Sequence, residues 1–325
     1  MEGRRRRTGC IAAGTMHSLS TTGGGRDAWP ALPYEAWRDT YATLHMWTQM
    51  VGKVALACAA PLNHSWSVAF LITPRGLRTG LLTHDARSFT ITFDFLDHEL
   101  VIETSDAARR ALPLAPRSVA DFYHELMATL EAMGLPVRIW SMPVELAAPV
   151  RFEQDRVHHS YDREYVERWW RIVVQVHQVF TQCRCAFIGK CSPVHFFWGA
   201  FDVAVTRFSG RLAPPREGPA FMREAYSHEV ISHGFWPGSA PLLEPSFYAY
   251  AVPEPPGLKT ATVRPDGAYY HPQLNEFILP YEAVRTASSP EAAIAAFIDS
   301  TYSHAATLAG WDRAALERPR IAMPR

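Results

Sequence analysis

Residues 189–211, GKCSPVHFFWGAFDVAVTRFSGR, set His195, Asp202, Arg207 and Arg211 into an otherwise aromatic and β-branched run. A stretch this apolar is expected to be buried, and a strand from Val194 to Phe208 would be the central one of its sheet. Period-two alternation would put His195 and Arg207 on one face with Phe197, Phe201, Val203 and Val205. Asp202 would share the other face with Trp198, Ala204 and Thr206. Gly199 is the point where a bulge would shift that register. A buried Asp or Arg is costly unless paired, so Asp202 and Arg207 each demand a partner.

Working outward, a helix is expected from Asp162 to about Cys185, where Val166, Trp169, Trp170, Val173, Val176 and Phe180 make it apolar nearly all round and hence buried. Pro-rich residues 212–219 follow the opening stretch as a surface loop. The segment AYSHEVISHGFWPG (225–238) resists assignment. Phe247–Val252 and Glu276–Pro280 read as strands, and Pro290 to about Gly310 as a closing helix with Pro in its first turn. In the first half, Trp37, Tyr41, Leu44, Trp47 and Val51 mark one face of a helix over Tyr34–Val51. Four antiparallel strands are expected at Trp66–Thr73, Leu77–Leu82, Ser88–Phe95 and Glu99–Thr104, separated by turn residues. A helix from Ser118 closes at Gly134 and Pro136, and Val137–Pro149 is expected to return as one or two short strands.

Both halves therefore read helix, Pro turn, strands, late helix. An offset of 132 residues also superposes Glu35 on Glu167, Trp37 on Trp169, His45 on His177, Pro61 on Pro193 and Trp66 on Trp198. The expected class is α+β, with two related lobes from an internal duplication, residues 29–160 and 161–318, each a largely antiparallel sheet packed with long helices. Tails are expected at 1–28, rich in Gly, Ser, Thr and Arg, and at 319–325; Met16 offers a second translation start. Clefts between lobes are preferred ligand sites, and Trp66, Phe197, Trp198 and Trp236 are the expected lining.

Composition limits the partners. At 325 residues the chain is long for one core, and 48% hydrophobic residues supply a substantial interior. Lys plus Arg equals Asp plus Glu at 32 each, so there is no basic surplus for nucleic acid or an anionic membrane. No run reaches the ~18 apolar residues of a membrane span. Cys10, Cys58, Cys183, Cys185 and Cys191 form no dense disulfide scaffold, so reduced, buried thiols in a cytoplasmic protein are expected. The composition sets no oligomeric state.

The motifs VGK (51–53), LNHSW (62–66), FDFLDHELVI (93–102), PRSVADFYHELM (116–127), SPVHFFWGAFDVAVTRFSGR (192–211), EAYSHEVISHGFWPG (224–238) and FILPYEAVR (277–285) are together similar to an uncharacterised bacterial family, domain of unknown function 5996. The resemblance covers about residues 30–315. It implies no reaction, cofactor or catalytic residue.

Chemistry must be read from the residues. HEVISH (228–233) is spaced HExxxH, which on a helix would turn the second histidine about 140° from the first, so a zincin site is excluded. A non-helical metal site built from His64, His195, His228 and Glu229 is the weaker alternative, and no metal is assigned. No GxSxG elbow, Walker loop or dinucleotide GxGxxG is present, and the cofactor is unknown. Glu229 and Glu276 sit in aromatic settings that raise a carboxyl pKa. The first reading is an enzyme acting on a small polar or anionic substrate, with His195 and His228 as acid and base and Glu229 orienting them. Arg207 and Arg211 would clamp an anion, and His64, Trp66, Trp198, Trp236 and Glu276 would line the site. The second is a non-catalytic small-molecule binder, and the third an oligomeric module pairing through a sheet edge.

Overall fold

Helix α1, Tyr34–Cys58, runs a further two turns beyond Val51, and every residue from Thr43 to Ala55 is buried. The computed structural model describes residues 27–318, so the expected tails lie outside the described residues apart from Asp27 and Ala28. After α1, residues 63–65 form a 3-10 turn in which His64 and Ser65 have φ of 58° and 56°. The expected strand at Trp66–Thr73 is consequently regular only at β1, Leu71–Ile72. β2 (Gly76–Arg78), β3 (Leu82–His84), β4 (Arg87–Asp94), β5 (Glu99–Thr104) and β6 (Arg109–Pro113) follow in an antiparallel sheet of order β1-β2-β4-β5-β6, with β3 paired to β4. α2, Val119–Ala132, is capped by the Ser118 side chain accepting from Asp121 N–H, and Gly134 at φ 69° ends it. The strands expected over Val137–Pro149 do not form. That segment is fastened by the Gln49 side chain rather than by a neighbouring strand.

α3, Arg163–Arg184, starts at Asp162, whose carboxylate accepts from the Glu164 and Tyr165 N–H groups. Its buried residues lie mainly on one face, and the helix that is buried all round is α1, correcting the expectation from composition. The second sheet holds β7 (His195–Phe197), β8 (Asp202–Leu212), β9 (His228–Trp236), β10 (Ser246–Val252), β11 (Tyr269–His271) and β12 (Glu276–Pro280), with helix α4 (Ala220–Ala225) between β8 and β9. Its order is β11-β12-β10-β9-β8-β7, all antiparallel. α5 (Tyr281–Arg285), α6 (Pro290–Leu308, capped by Ser289) and α7 (Arg313–Leu316) complete the chain. The class is α+β with two six-stranded antiparallel sheets. Their strand orders differ, and an internal duplication is not shown.

The two sheets meet edge to edge where Phe70 and Phe196 exchange both backbone hydrogen bonds, at 2.8 and 3.0 Å. Trp169 of α3 fills the join, touching Trp37 of α1, Phe95 behind β4, and Phe196 and Phe201 of the second sheet.

The opening stretch is a hairpin, not one strand. Residues 198–201 turn the chain back, with Phe201 at φ 58°, so that His195 pairs with Ala204 and Phe197 with Asp202. Paired residues share a face, so His195 lies with Asp202 and Thr206, and Arg207 lies on the opposite face with Val203 and Val205. The expected grouping of His195 with Arg207 is thereby reversed. A left-handed phenylalanine costs ~1–3 kcal/mol. Complete burial of the Phe201 ring among Tyr41, His45, Trp169 and Phe196 offsets it by ~1.5–3 kcal/mol.

Trp198, at the turn, donates its indole N–H to the Val68 carbonyl at 3.0 Å and lies flat on Gly52 of α1. A Cβ at Gly52 would stand 2.2 Å from the indole ring. Gly52→Ala is therefore expected to cost about 1–3 kcal/mol by overpacking, read as a fall in the urea midpoint at unchanged slope.

Candidate functional site

Polar side chains on α1 do the positioning. Gln49 donates to the Val144 carbonyl and accepts from the Val144 N–H, both at 2.8 Å, fixing the loop that carries Glu145. His45, one turn earlier, makes a 2.8 Å bond from Nε2 to the Gly199 carbonyl and so holds the β7–β8 turn. Since a carbonyl can only accept, His45 is the Nε2–H tautomer. Burial pushes its pKa down to about 4, so the ring is neutral near pH 7. Thr43 accepts from Ser160 N–H and Thr40 from Asp162 N–H, which pins the segment entering α3.

These three attachments enclose a cavity of about 330 Å³, lined by Tyr34, Tyr41, His45, Glu145, His158 and Trp236 among others. That size lies at the lower end of the ~300–1,000 Å³ of small-molecule pockets. His158 Nδ1 donates to the buried Asp155 carboxylate at 2.7 Å, and that carboxylate also accepts the Val157 and His158 backbone N–H groups. Burial of Asp155 opposes its ionisation, but these hydrogen bonds outweigh it and hold its pKa below the usual value. The same bond raises the His158 pKa above 6.5. Nε2 of His158 has no hydrogen-bond partner among the described residues.

Glu145 sits on the left-handed side of the backbone map at φ 59°, with its carboxylate packed where a Cβ on Gly199 would stand, 2.7 Å from Oε1. Partial desolvation there pushes its pKa up. Behind the turn lies Asp202, fully enclosed, which accepts from the Tyr248 hydroxyl. Burial, reinforced by the charge of Glu145, pushes Asp202 up to about 7. Asp202 heads a polar stripe along this face of the second sheet. The Tyr248 and Tyr250 rings stack at 6.0 Å, Tyr226 and Tyr250 share a 3.0 Å hydroxyl contact, and Tyr248 fits because Gly234 beneath it has no side chain. Glu276 closes the stripe; burial raises its pKa to about 7, as its aromatic setting foreshadowed, and its Oε2 has no partner.

The residues singled out from sequence are dispersed. Trp236 lines the cavity and Trp198 supports its turn. His195 is buried on the face of Asp202, its Nδ1 unpartnered. His228 pairs with Leu212, and eight residues of β8 separate that from the partner of His195, roughly 26 Å at ~3.3 Å per residue, too far for both to act on one small substrate. His228 instead joins His64 and Trp66, where the His64 ring lies 6.3 Å from His228 and 5.3 Å from Trp66, and Lys190 Nζ is 2.8 Å from His64 Nε2. Glu229 projects to the other face of β9 and is taken up by Arg211 at 2.7 Å and Ser209 at 2.9 Å. Arg211 also donates to the carbonyls of Ala309 and Gly310 at the end of α6. Arg207 lies under α6 against Tyr302, on the face of the sheet that also carries Glu229 but with no bond to it. His228 and His233 sit on opposite faces of β9, so the zincin spacing fails on a strand as it does on a helix. Among the described residues, no three His, Cys, Asp or Glu side chains form a group able to hold a metal ion. Cys185 is exposed, contrary to expectation, and Cys58, Cys183 and Cys191 are half-buried; Cys10 lies outside the described residues.

Residues 29–318 match the model of a family described as a family of unknown function, DUF5996. No curated protein and no solved structure matches the chain. No helix among the described residues is long and apolar enough to cross a membrane.

Proposed function

Because the chain belongs to DUF5996, a family of unknown function, we propose from its own residues that it is an enzyme performing acid–base chemistry on a small polar molecule in the cavity beside α1. The observation that carries this reading is the Asp155–His158 pair, whose histidine lines the same cavity as Glu145. The two titratable groups have different environments, which is how acid and base are told apart. His158 holds its proton to a higher pH than a free histidine, and burial raises Glu145 from the lower ordinary value of 4.5. In the proposed working state Glu145 is the carboxylate base and His158 the imidazolium acid. Below about pH 7 Asp202 is neutral and leaves Glu145 without a second negative charge behind it. Among the described residues no Lys or Arg lines this cavity and the charges of Glu145 and His158 offset each other, so an uncharged or cationic substrate suits it better than an anion, and the aromatic walls favour a flat one.

The test is a thermal-shift screen of neutral and cationic metabolites, followed by NMR detection of turnover for each compound that stabilises the protein. His158→Gln and Glu145→Gln are each expected to lose about 10²–10⁴-fold in turnover while still binding. The pH dependence of kcat/KM should be a bell. Its acid limb lies above the usual 4.5 of Glu and its alkaline limb above the usual 6.5 of His. Asp155→Asn, which removes the positioning carboxylate, should bring the alkaline limb down. Binding without turnover in the wild type would identify a small-molecule receptor instead.

A further inference from the structure

On the other face of the second sheet, Arg207 is 3% exposed. Its guanidinium is held in place on several sides. Nη2 donates to the Cys183 carbonyl at 3.1 Å, Nη1 faces His233 Nδ1 at 3.4 Å, and the rings of Tyr302 and Phe187 lie 4.8 and 5.9 Å from Cζ. Nε has no partner. Two of its five N–H donors are thus engaged, and no described carboxylate forms an ion pair with it. A guanidinium does not escape such a site by giving up its proton, so a buried one calls for a nearby anion.

Among the described residues no carboxylate is hydrogen-bonded to Arg207; Glu317 acts on it only through its charge. Arg207 lines a cavity of about 240 Å³ between the end of α3, α6 and α7, together with Cys183, Asp299, Arg313, Glu317 and Arg318. Glu317 is committed to Arg313, at 2.5 Å, and to the Tyr302 hydroxyl at 2.9 Å. Asp299 is turned to Arg264 at 3.3 Å. Burial keeps the Cys183 and Cys191 thiols protonated despite the neighbouring guanidinium. The Arg318 side chain donates to the Cys185 carbonyl, and no described carboxylate is bonded to it. Glu317 also acts on Arg207 through its charge, but it is bonded to Arg313, so among the described residues Arg207 and Arg318 each lack a hydrogen-bonded carboxylate and leave the cavity with an excess of positive charge.

We propose that this cavity binds a small oxyanion, a phosphate or carboxylate group, between Arg207 and Arg318. The volume is below that of pockets for drug-sized ligands, which limits the occupant to a few atoms or to one end of a larger molecule. The fork of N–H groups on arginine suits both oxyanions. This site is separate from the cavity of His158 and does not depend on the reading given to it.

Thermal unfolding of the full chain, titrated with sodium phosphate or sodium acetate at an ionic strength matched with sodium chloride, tests the proposal. A saturable rise in midpoint of about 2–5 °C is expected with the bound anion. A response to phosphate alone identifies a phosphoryl site, and an equal response to acetate a carboxylate site. Arg318→Ala should weaken the apparent affinity about tenfold, and Arg207→Lys, which keeps the charge but loses the fork, at least as much. If Arg207→Lys does not fold, Arg318→Ala decides. His158→Gln should leave the response unchanged. The proposal is overturned if neither anion raises the midpoint above chloride, if the rise does not saturate, or if Arg318→Ala responds like the wild type.

Discussion

Trp169→Ala is expected to lower the stability of the whole chain by about 3–5 kcal/mol, the cost of emptying a tryptophan-sized space in a core. Trp169 is 1% exposed, and its ring meets Trp37, Phe95, Trp170, Phe196 and Phe201. Apart from Trp170 of α3 itself, those partners come from α1, from the end of the first sheet and from the β7–β8 hairpin. Removing the indole therefore loosens every element that meets at the join. Urea unfolding followed by tryptophan fluorescence and by far-ultraviolet circular dichroism should show one transition, shifted to lower urea with the same slope in both signals. An early step confined to one signal, with a second step at the wild-type midpoint, would show instead that the two halves unfold as separate lobes.

The second large effect is a pH dependence carried by Asp202. Its folded-state pKa is about 7 against an ordinary 3.8, because burial disfavours the carboxylate. A carboxyl raised in the folded state costs stability as pH climbs. The loss begins near the unfolded value, grows while only the unfolded chain ionises, and is complete above about pH 7. A shift of this size corresponds to about 4 kcal/mol. The whole-protein profile mixes this with other groups. Glu276 acts in the same sense, whereas His45 and His195, lowered to about 4 by burial, gain stability for the fold as pH rises toward 6.5. Asp202→Asn isolates the contribution, since its amide oxygen can still accept from Tyr248. The stability difference between this variant and the wild type should move in favour of the variant by about 4 kcal/mol between pH 4 and pH 8. A gap that stays constant across that range would mean that Asp202 is ionised in the folded protein throughout.

What was legible from sequence follows from the range of the physics involved. α1, α2, α3 and α6, and strands β4, β5, β10 and β12, declare themselves through apolar spacing and through caps such as Ser118, Asp162 and Ser289, all of which act within a few residues. β6 was missed because RRALP carries two arginines and a proline where a strand signal should be apolar. β9 was missed because HEVISHGFW breaks its alternation with buried His233 and with Gly234, which makes room for the Tyr248 ring. The hairpin was read as a single strand because Phe201, a bulky residue, adopts the left-handed conformation that favours glycine. The ring's burial decides that, and burial is set by residues far away in the chain.

The candidate site was less legible still. His45, Glu145, Asp155 and His158 come from one helix, one irregular segment and one polar connection, and no spacing rule joins them. Two signals were present. His45 and Gln49 are polar residues one turn apart inside an apolar helix, and Asp155 and His158 are three residues apart in the segment EQDRVHHS, which read as a mere connector.

By itself, the sequence determined an α+β chain of antiparallel sheets and long helices, the family to which it belongs, and the absence of the common nucleotide and hydrolase motifs. Only the tertiary structure decided that the two sheets join through Phe70 and Phe196, that His195 and Arg207 face opposite ways, and that His158, held by buried Asp155, lines the same cavity as Glu145. The physical reason is that periodicity and capping are local, whereas strand register, the desolvation of Asp202 and Arg207 and the choice of hydrogen-bond partner depend on residues brought together from distant parts of the chain.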